Sequence, residues 1–387
     1  MNERFIKQTL AAAVVAVVSN QALAIEPAEI DLGPITLTPT LKLAEAYNDN
    51  VDEDARENAS WVTEVSPTFV LAAQDRLNVY SLTYSFDSEI FHSQHDDDNT
   101  DHHLTADAHL EFNSRNRLDL NAGYHDVEDT DDADSSTGEN DQYHTSNIGA
   151  VYGFGAQSAT MQLEFGVNHE AKRYDNSGTL NDGKERDTDS LSGIAYYRLA
   201  PKTRALFEMR YSDFDYVSND PLNSYNLTYL GGITWSATAR TSGSLKLGYE
   251  EKDFDDADKK DPGGTVWEVS VTWAPRTYSS FTLSTNRGFD EGGDTGEDYI
   301  ETTATRLEWN HDWNSYVSSN VYYSYTEEEY QGIDRDDDTS VFAMGLTWEL
   351  RRWMDVGLGY KYTDKDSTYS SESYNQNLYQ ASLNLSF

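Results

Sequence analysis

The chain contains no cysteine, little proline, few basic residues for its number of acids, and no long apolar stretch beyond its first two dozen residues. The absence of Cys from 387 residues excludes disulfide cross-links, thiol nucleophiles and thiolate metal centres. Only 28 Lys and Arg stand against 68 Asp and Glu, a formal net charge of -40. That balance excludes nucleic acid as a partner and excludes a basic patch held on anionic lipid. No internal segment approaches the roughly 20 consecutive apolar residues of a membrane helix, and mean hydropathy is -0.71. Helical spans are therefore excluded, but strands are not, because half of each membrane strand is polar. Catalytic signatures are missing too. There is no G-x-S-x-G elbow, no H-E-x-x-H and no phosphate-binding glycine loop, so the chain reads as a non-enzyme that needs no cofactor.

What is present begins with an export signal. Arg4 and Lys7 precede the apolar run Leu10 to Val18, and Ala22-Leu23-Ala24 forms an A-x-A cleavage site. Residues 1–24 read as a cleavable secretory signal and 25–387 as one domain, destined for the bacterial outer membrane. The chain closes on Leu383-Asn384-Leu385-Ser386-Phe387, an apolar/polar alternation ending in an aromatic residue. In a barrel strand such alternation puts Leu383, Leu385 and Phe387 against lipid and Asn384 and Ser386 in the lumen.

Period-two stretches recur along the whole mature chain, for example Leu104 to Phe112, Met161 to Val167, Ala205 to Tyr211 and Met354 to Tyr362. Short turns at 74–76, 114–117, 155–157, 201–204, 238–241, 275–277, 313–315 and 351–352 alternate with longer loops. These loops fall at 48–60, 93–103, 128–141, 174–187, 217–223, 251–264, 290–298, 326–338 and 364–374. The pattern predicts eighteen strands with both termini on the periplasmic side, an all-β, antiparallel, up-and-down transmembrane barrel. At about 20 residues per strand and connection, against roughly 9 to 11 needed to cross, the strands should project beyond the bilayer.

Charge sorts the two ends independently. The turns hold nine basic residues (Arg76, Arg115, Arg117, Lys202, Arg204, Arg240, Arg276, Arg351, Arg352) and one acid, Asp75, whereas the loops hold 42 acids and 8 basic residues. The acidic ends therefore belong outside, over the lipopolysaccharide. Their acids do not fit a calcium-binding loop: after Asp129 and Asp131 the third acid, Asp134, is misplaced and no glycine follows at the sixth position. They read as solvated tips without a defined metal site. His92, His95, His102 and His103 cluster with Asp96, Asp97, Asp98 and Asp101 at one hairpin, but adjacent strand residues point to opposite faces, so at most one of His102 and His103 can join the others.

By parity the inner wall carries Arg198, Glu208, Arg210, Lys246, Glu268, Arg306, Glu308 and Lys361 as candidate pore-lining residues, together with Glu164, Glu349 and Asp355. Charges of both signs on one wall suit a water-filled pore, and not a packed core. Asp107, His109, Glu111, Asp119 and His125 share two neighbouring strands without a hydrolase motif. Inward Tyr196 and Tyr322 are candidates for stacking on sugar rings. Eighteen strands leave an aqueous channel, and no segment is long enough for a plug domain, although a loop folded inward could narrow the pore.

The segment Ala46-Tyr47-Asn48-Asp49-Asn50-Val51, followed by Ser60-Trp61 and Ser66-Pro67, resembles the opening of the β-barrel porin 2 family found with exopolysaccharide and capsule export systems. Leu82 to Asp87, Asp101-His102-His103-Leu104 and Arg115-Asn116-Arg117-Leu118 extend the resemblance. It implies a non-catalytic outer-membrane channel for a secreted polysaccharide. The partners implied are a periplasmic polysaccharide export protein, the polysaccharide cargo, outer-membrane lipid and lipopolysaccharide, and the barrel-insertion machinery acting through Phe387. The charge of the outer loops leaves a second reading open, a cation-preferring diffusion porin for small solutes.

Overall fold

The computed structural model describes residues 29–129, 140–176, 178–179, 181–236, 240–292 and 296–387. The proposed export signal and most of the acidic segment 128–141 lie outside the described residues.

A two-residue strand, β1 (Ile30–Asp31), pairs with the foot of β2 (Ile35–Asn48). Next come β3 (Ser60–Asp75), β4 (Asn78–Phe91), β5 (Asn99–Asn113), β6 (Asn116–Asp129), β7 (Asp141–Phe154) and β8 (Met161–Tyr174). The far wall is β9 (Arg186–Ala200), β10 (Thr203–Tyr216), β11 (Ser224–Trp235), β12 (Thr241–Phe254), β13 (Gly263–Arg276) and β14 (Ser279–Glu291). The circuit ends with β15 (Tyr299–Asn314), β16 (Val317–Gln331), β17 (Arg335–Arg351), β18 (Met354–Ser367) and β19 (Tyr374–Ser386). Every neighbour is antiparallel. β19 returns to β2 in register from Leu378↔Asn48 to Ser386↔Thr40, and the Phe387 amide donates to the Pro39 carbonyl at 3.2 Å. β2 to β19 thus close an eighteen-strand barrel that leaves no edge unpaired.

The alternation that makes these residues strands also sets their two faces. In β8, Met161, Phe165 and Val167 are exposed while Gln162 and Glu164 are buried. At the seam Phe387 is 56% exposed and Ser386 only 2%, which places the aromatic ring outside and the hydroxyl inside. The outer surface carries two aromatic girdles. Tyr47–Trp61, Tyr211–Tyr225 and Tyr360–Tyr379 contacts mark the level near the loops, with centroids 5.3, 5.5 and 5.0 Å apart. Trp273, Phe281 and Trp309 stack near the turns. Rings of this kind sit at the two membrane–water interfaces.

Strands run 12 to 17 residues, so they continue past the girdle, and here the sequence reading is corrected. The segment 326–338, read as a loop, is largely ladder, since β16 and β17 leave only three residues between them, and both ends of 251–264 are ladder too: β12 persists to Phe254 and β13 starts at Gly263. Backbone pairing tolerates acids on a solvated stem, so Glu327 faces Asp338 and Glu329 faces Asp336 across the hairpin. Girdle tyrosines lean on the acids just above them: Tyr211 donates to Asp213 at 3.0 Å, Tyr225 to Asp253 at 3.1 Å and Tyr325 to Asp338 at 2.9 Å.

Between β11 and β12 the backbones approach so closely that Gly248 has no room for a side chain. A Cβ there would lie 1.8 Å from the Tyr229 carbonyl oxygen, and one on Gly232 would lie 2.1 Å from that of Leu245. Glycine in a strand marks such a close approach. Gly248→Val should cost about 1–3 kcal/mol or more, since the obstacle is backbone and not a flexible side chain. It should be read as a lower denaturant midpoint of the barrel in detergent, while Gly231→Ala, where nothing lies within 4 Å, should stay near wild type.

Candidate functional site in the barrel lumen

The inner wall is built from Ser, Thr, Asn and Gln interspersed with charges that are mostly paired. Glu208 lies at the centre of the main network, 3% exposed. It accepts from Arg210 and from Lys246 at 2.7 Å. Arg210 also forks onto Glu268 at 2.6 and 3.2 Å, and Lys246 reaches Glu268 at 3.1 Å. Two carboxylates and two cations thus form a ring across β10, β12 and β13 that is neutral overall. Fork-to-carboxylate geometry fixes both side chains, so the ring stiffens the wall and offers no free charge.

Arg306 donates to Glu308 at 2.9 Å, and Asn310 donates to the same carboxylate at 2.7 Å. The Arg306 guanidinium lies 3.6 Å from the centre of the Tyr322 ring. Tyr322 is 2% exposed, so its ring is covered and is not presented for sugar stacking, contrary to the sequence expectation. Tyr196 is half-buried on the inner face of β9. Near the turns, Arg117 folds inward to Glu164 at 2.7 Å, while Arg198 and Arg204 converge on the Gln157 carbonyl at 2.5 and 3.2 Å. Lys42 pairs with Glu64 at 2.7 Å, and Gln380 donates to the same carboxylate. Asp355, 1% exposed, faces Glu349 across β17 and β18. Lys361 is buried on the inner wall of β18.

The histidines disperse. His92 bonds Thr63 at 2.9 Å on the outer surface, His95 lies 3.6 Å from Asp98, and His102 meets the Tyr84 hydroxyl at 3.0 Å. The hairpin histidines do not converge: His102 and His103 take opposite faces of β5, as their adjacency requires, and His92 and His95 lie beyond the strand ends. His109 is held between Asp119 at 2.5 Å and Glu111 at 3.6 Å, bonded to carboxylates and not to a nucleophilic hydroxyl. Asp107 shares that inner face, and His125 pairs instead with His103.

The outer mouth holds the feature least visible in the sequence. The connection 49–59 bends into the barrel, where Val51 packs on the inward side chains Val62 and Phe91. Asn50, fully buried, donates to the carbonyls of Asp54 at 2.8 Å and Asn375 at 3.1 Å, and its own carbonyl accepts from Gln376 at 2.7 Å. Glu53 accepts from Tyr374 at 2.7 Å and from Gln376 at 3.2 Å. Asp49 closes the seam by accepting from the Asn377 amide at 2.6 Å and its side chain at 2.9 Å. The Tyr47-Asn48-Asp49-Asn50-Val51 motif thus bolts a folded-in loop across the junction of β2 and β19. On the opposite rim Leu222 packs on Tyr216 and Phe254, and Lys252 pairs with Glu291 at 2.6 Å.

One local device recurs at the rim. The backbone N–H of the last strand residue donates to an Asp or Asn seven residues on: Phe91 to Asp98, Tyr216 to Asn223, Phe254 to Asp261. Each aromatic residue faces inward beneath its loop. An aromatic followed at the seventh position by Asp or Asn was the available signal for these buried caps. It also shows that some loop acids serve as local acceptors, not as solvated tips alone.

An eighteen-strand barrel with two aromatic girdles and a polar lumen carrying paired charges defines an outer-membrane porin-type protein. Residues 23–387 match the family described as Putative beta-barrel porin 2, and the chain belongs to that family. No curated protein matches the sequence. Among solved structures, the chain is similar to a BenF-like porin from Pseudomonas fluorescens Pf-5, with 9% identity, TM-score 0.51, and coverage of 91% of this chain and 99% of that one. It is also similar to OpdK from Pseudomonas aeruginosa, with 12% identity, TM-score 0.50, and coverage of 91% and 99%. A third neighbour is the FrpB iron transporter from Neisseria meningitidis (F5-1 variant), with 10% identity, TM-score 0.52, and coverage of 90% and 82%. Of the F3-3 variant of that transporter the chain spans 64%. At these identities the likeness establishes the barrel fold alone.

Proposed function

We propose that this porin is the outer-membrane conduit for a secreted exopolysaccharide and performs no catalytic step. The observation that carries this reading is the wall. Across β10 to β15 hydroxyl and amide side chains alternate with ion pairs that cancel locally, so along that wall a hydroxyl-rich polymer meets hydrogen-bonding partners without being trapped by a net charge. Conduction needs binding that is weak and spread over many sites, and Glu208, Arg210, Lys246 and Glu268 supply a neutralised belt of that kind. Arg198, Arg306, Glu308 and Lys361 would line the same path. The resemblance of the Asn48 to Val51 segment to polysaccharide-export barrels supports the cargo class, and that segment builds the inward loop.

The periplasmic rim fits a partner. Arg76, Arg115, Lys202, Arg276, Arg351 and Arg352 stand exposed at the turn tips, a basic ring suited to an acidic surface on a periplasmic export protein. Phe387, outward at the seam, would be presented to the insertion machinery. Deleting the gene should abolish surface polysaccharide while polymer still accumulates in the periplasm. Normal secretion by the deletion strain would refute the assignment.

A second reading, a cation-preferring diffusion porin, is favoured by one observation: β4 and β5 carry no Lys or Arg, and their inner faces hold Asp87, Glu89, Asp101, Asp107 and Glu111. Reversal potentials across a planar bilayer under a KCl gradient separate the two. The porin reading expects an open channel with clear cation selectivity, whereas the export reading expects low conductance until the inward loop is displaced.

A further inference from the structure

We propose that His103 and His125 form a binding site on the lumen wall for a divalent transition-metal ion of the zinc or copper type. The two residues stand directly opposite each other on β5 and β6, both facing inward. Their Nδ1 atoms are 2.9 Å apart and their ring centroids 5.1 Å apart, with the planes tilted by 51°. Imidazole nitrogens bind zinc at about 2.0–2.1 Å. Two such bonds at a tetrahedral centre place the nitrogens about 3.3 Å apart, so binding needs the pair to part by a few tenths of an ångström and each ring to turn until both Nδ1 lone pairs point at one centre beside the present N···N line.

The surroundings favour a cation. The Asp87 Oδ2 lies 3.8 Å from His103 Nε2, beyond hydrogen-bond reach, and places a negative charge beside the pair. Gly123 opens the space beside His125: a Cβ there would fall 2.3 Å from the Asn147 amide oxygen and 3.0 Å from His125 Nε2. β4 and β5 contain no Lys or Arg, and the one basic residue of β6, Arg117, sits at its far end and is engaged by Glu164. No group of three or more His, Cys, Asp or Glu arranged for a metal occurs among the described residues. The two imidazole nitrogens are then the ion's only protein ligands, and water completes its coordination, as an accessible and exchangeable site.

In the metal-free pair one neutral imidazole donates its Nδ1 proton to the other Nδ1. Binding moves that proton to the Nε2 of the same ring through solvent, which frees both Nδ1 lone pairs. No net proton is released and no redox change occurs. The site does not depend on which cargo the barrel carries.

The test uses the full-length barrel purified in detergent, titrated with ZnCl2 by calorimetry and with CuSO4 followed by electron paramagnetic resonance. Wild type should bind one ion per barrel and show a copper spectrum with nitrogen coupling from two imidazoles. His103→Ala and His125→Ala should each lose the saturable site. His169→Ala, whose ring pairs with Asp189 on the outer surface, should bind as wild type. His103→Gln and His125→Gln serve where an alanine variant loses the heat-modifiable mobility of a folded barrel. Binding that persists in the double variant, oxygen-only copper coordination, or no saturable binding in wild type would overturn the assignment.

Discussion

Replacing Val51 to Glu57 with Gly-Gly should raise single-channel conductance in planar bilayers by roughly two-fold or more, because pore cross-section sets ion flow. The excision is geometrically mild: the Val51 amide already donates to the Asn58 carbonyl at 2.7 Å, so the ends of the removed segment lie together. What holds the loop inward is a small surplus. Burying Val51 against Val62 and Phe91 contributes about 1.5–3 kcal/mol. The bonds from Tyr374 and Gln376 to Glu53 add about 0.5–1.5 kcal/mol each. Opposing them, Glu53 and Glu57 are held at φ of 48° and 54°, a left-handed conformation costing about 1–2 kcal/mol per residue. The balance favours the inward state without making it permanent. Val51→Asp, which places an unpaired charge in that apolar contact, should therefore move conductance in the same direction as the excision. Unchanged conductance in both variants would mean that the loop does not restrict the path.

The barrel was legible in the sequence because its determinants are local and repeated. Parity along Met161 to Val167 is enough to place Glu164 inside, and alternation of short and long breaks is enough to count eighteen strands. Charge supplied the orientation, since Arg351 and Arg352 lie at one end of the barrel and Asp336 to Asp338 on a strand stem at the other. What stayed hidden depends on partners distant in sequence. Val51 meets Phe91, and Gln376 meets Asn50, 326 positions away; no periodicity reports such a contact. His103 pairs with His125 only once the register of β5 on β6 is set. The same limit explains the loop boundaries: polar composition suggested solvated loops at 326–338, whereas backbone pairing carries the ladder onward whatever the side chains. The Asn-Asp-Asn run beginning at Asn48 was conspicuous, but its meaning lies in Asn375, Gln376 and Asn377 across the seam.

The second large effect is expected at Arg335. This guanidinium and the Asp337 carboxylate two residues on are 1% and 0% exposed, with Nη2 and Oδ2 2.6 Å apart and Nε 3.1 Å from each carboxylate oxygen. The Arg335 guanidinium also lies 4.3 Å from the centre of the Tyr330 ring. Removing one member of a buried pair strands the other, at a cost of about 3–5 kcal/mol. Arg335→Ala should fall at the low end, because Lys365 at 3.3 Å and the Ser367 hydroxyl at 2.5 Å still attend Asp337. Arg335→Lys should recover little, since an ammonium cannot reproduce the fork that meets both oxygens. The double variant Arg335→Ala/Asp337→Ala should be less destabilised than the sum of the single ones by about 0.5–3 kcal/mol, because neither charge is then left alone. Tryptophan fluorescence during urea unfolding from detergent or lipid measures these three and the Asp337→Ala variant that completes the cycle. An Arg335→Ala barrel within about 0.5 kcal/mol of wild type, the range of an ordinary surface substitution, would show that water reaches the pair and that its burial contributes nothing to closing the rim.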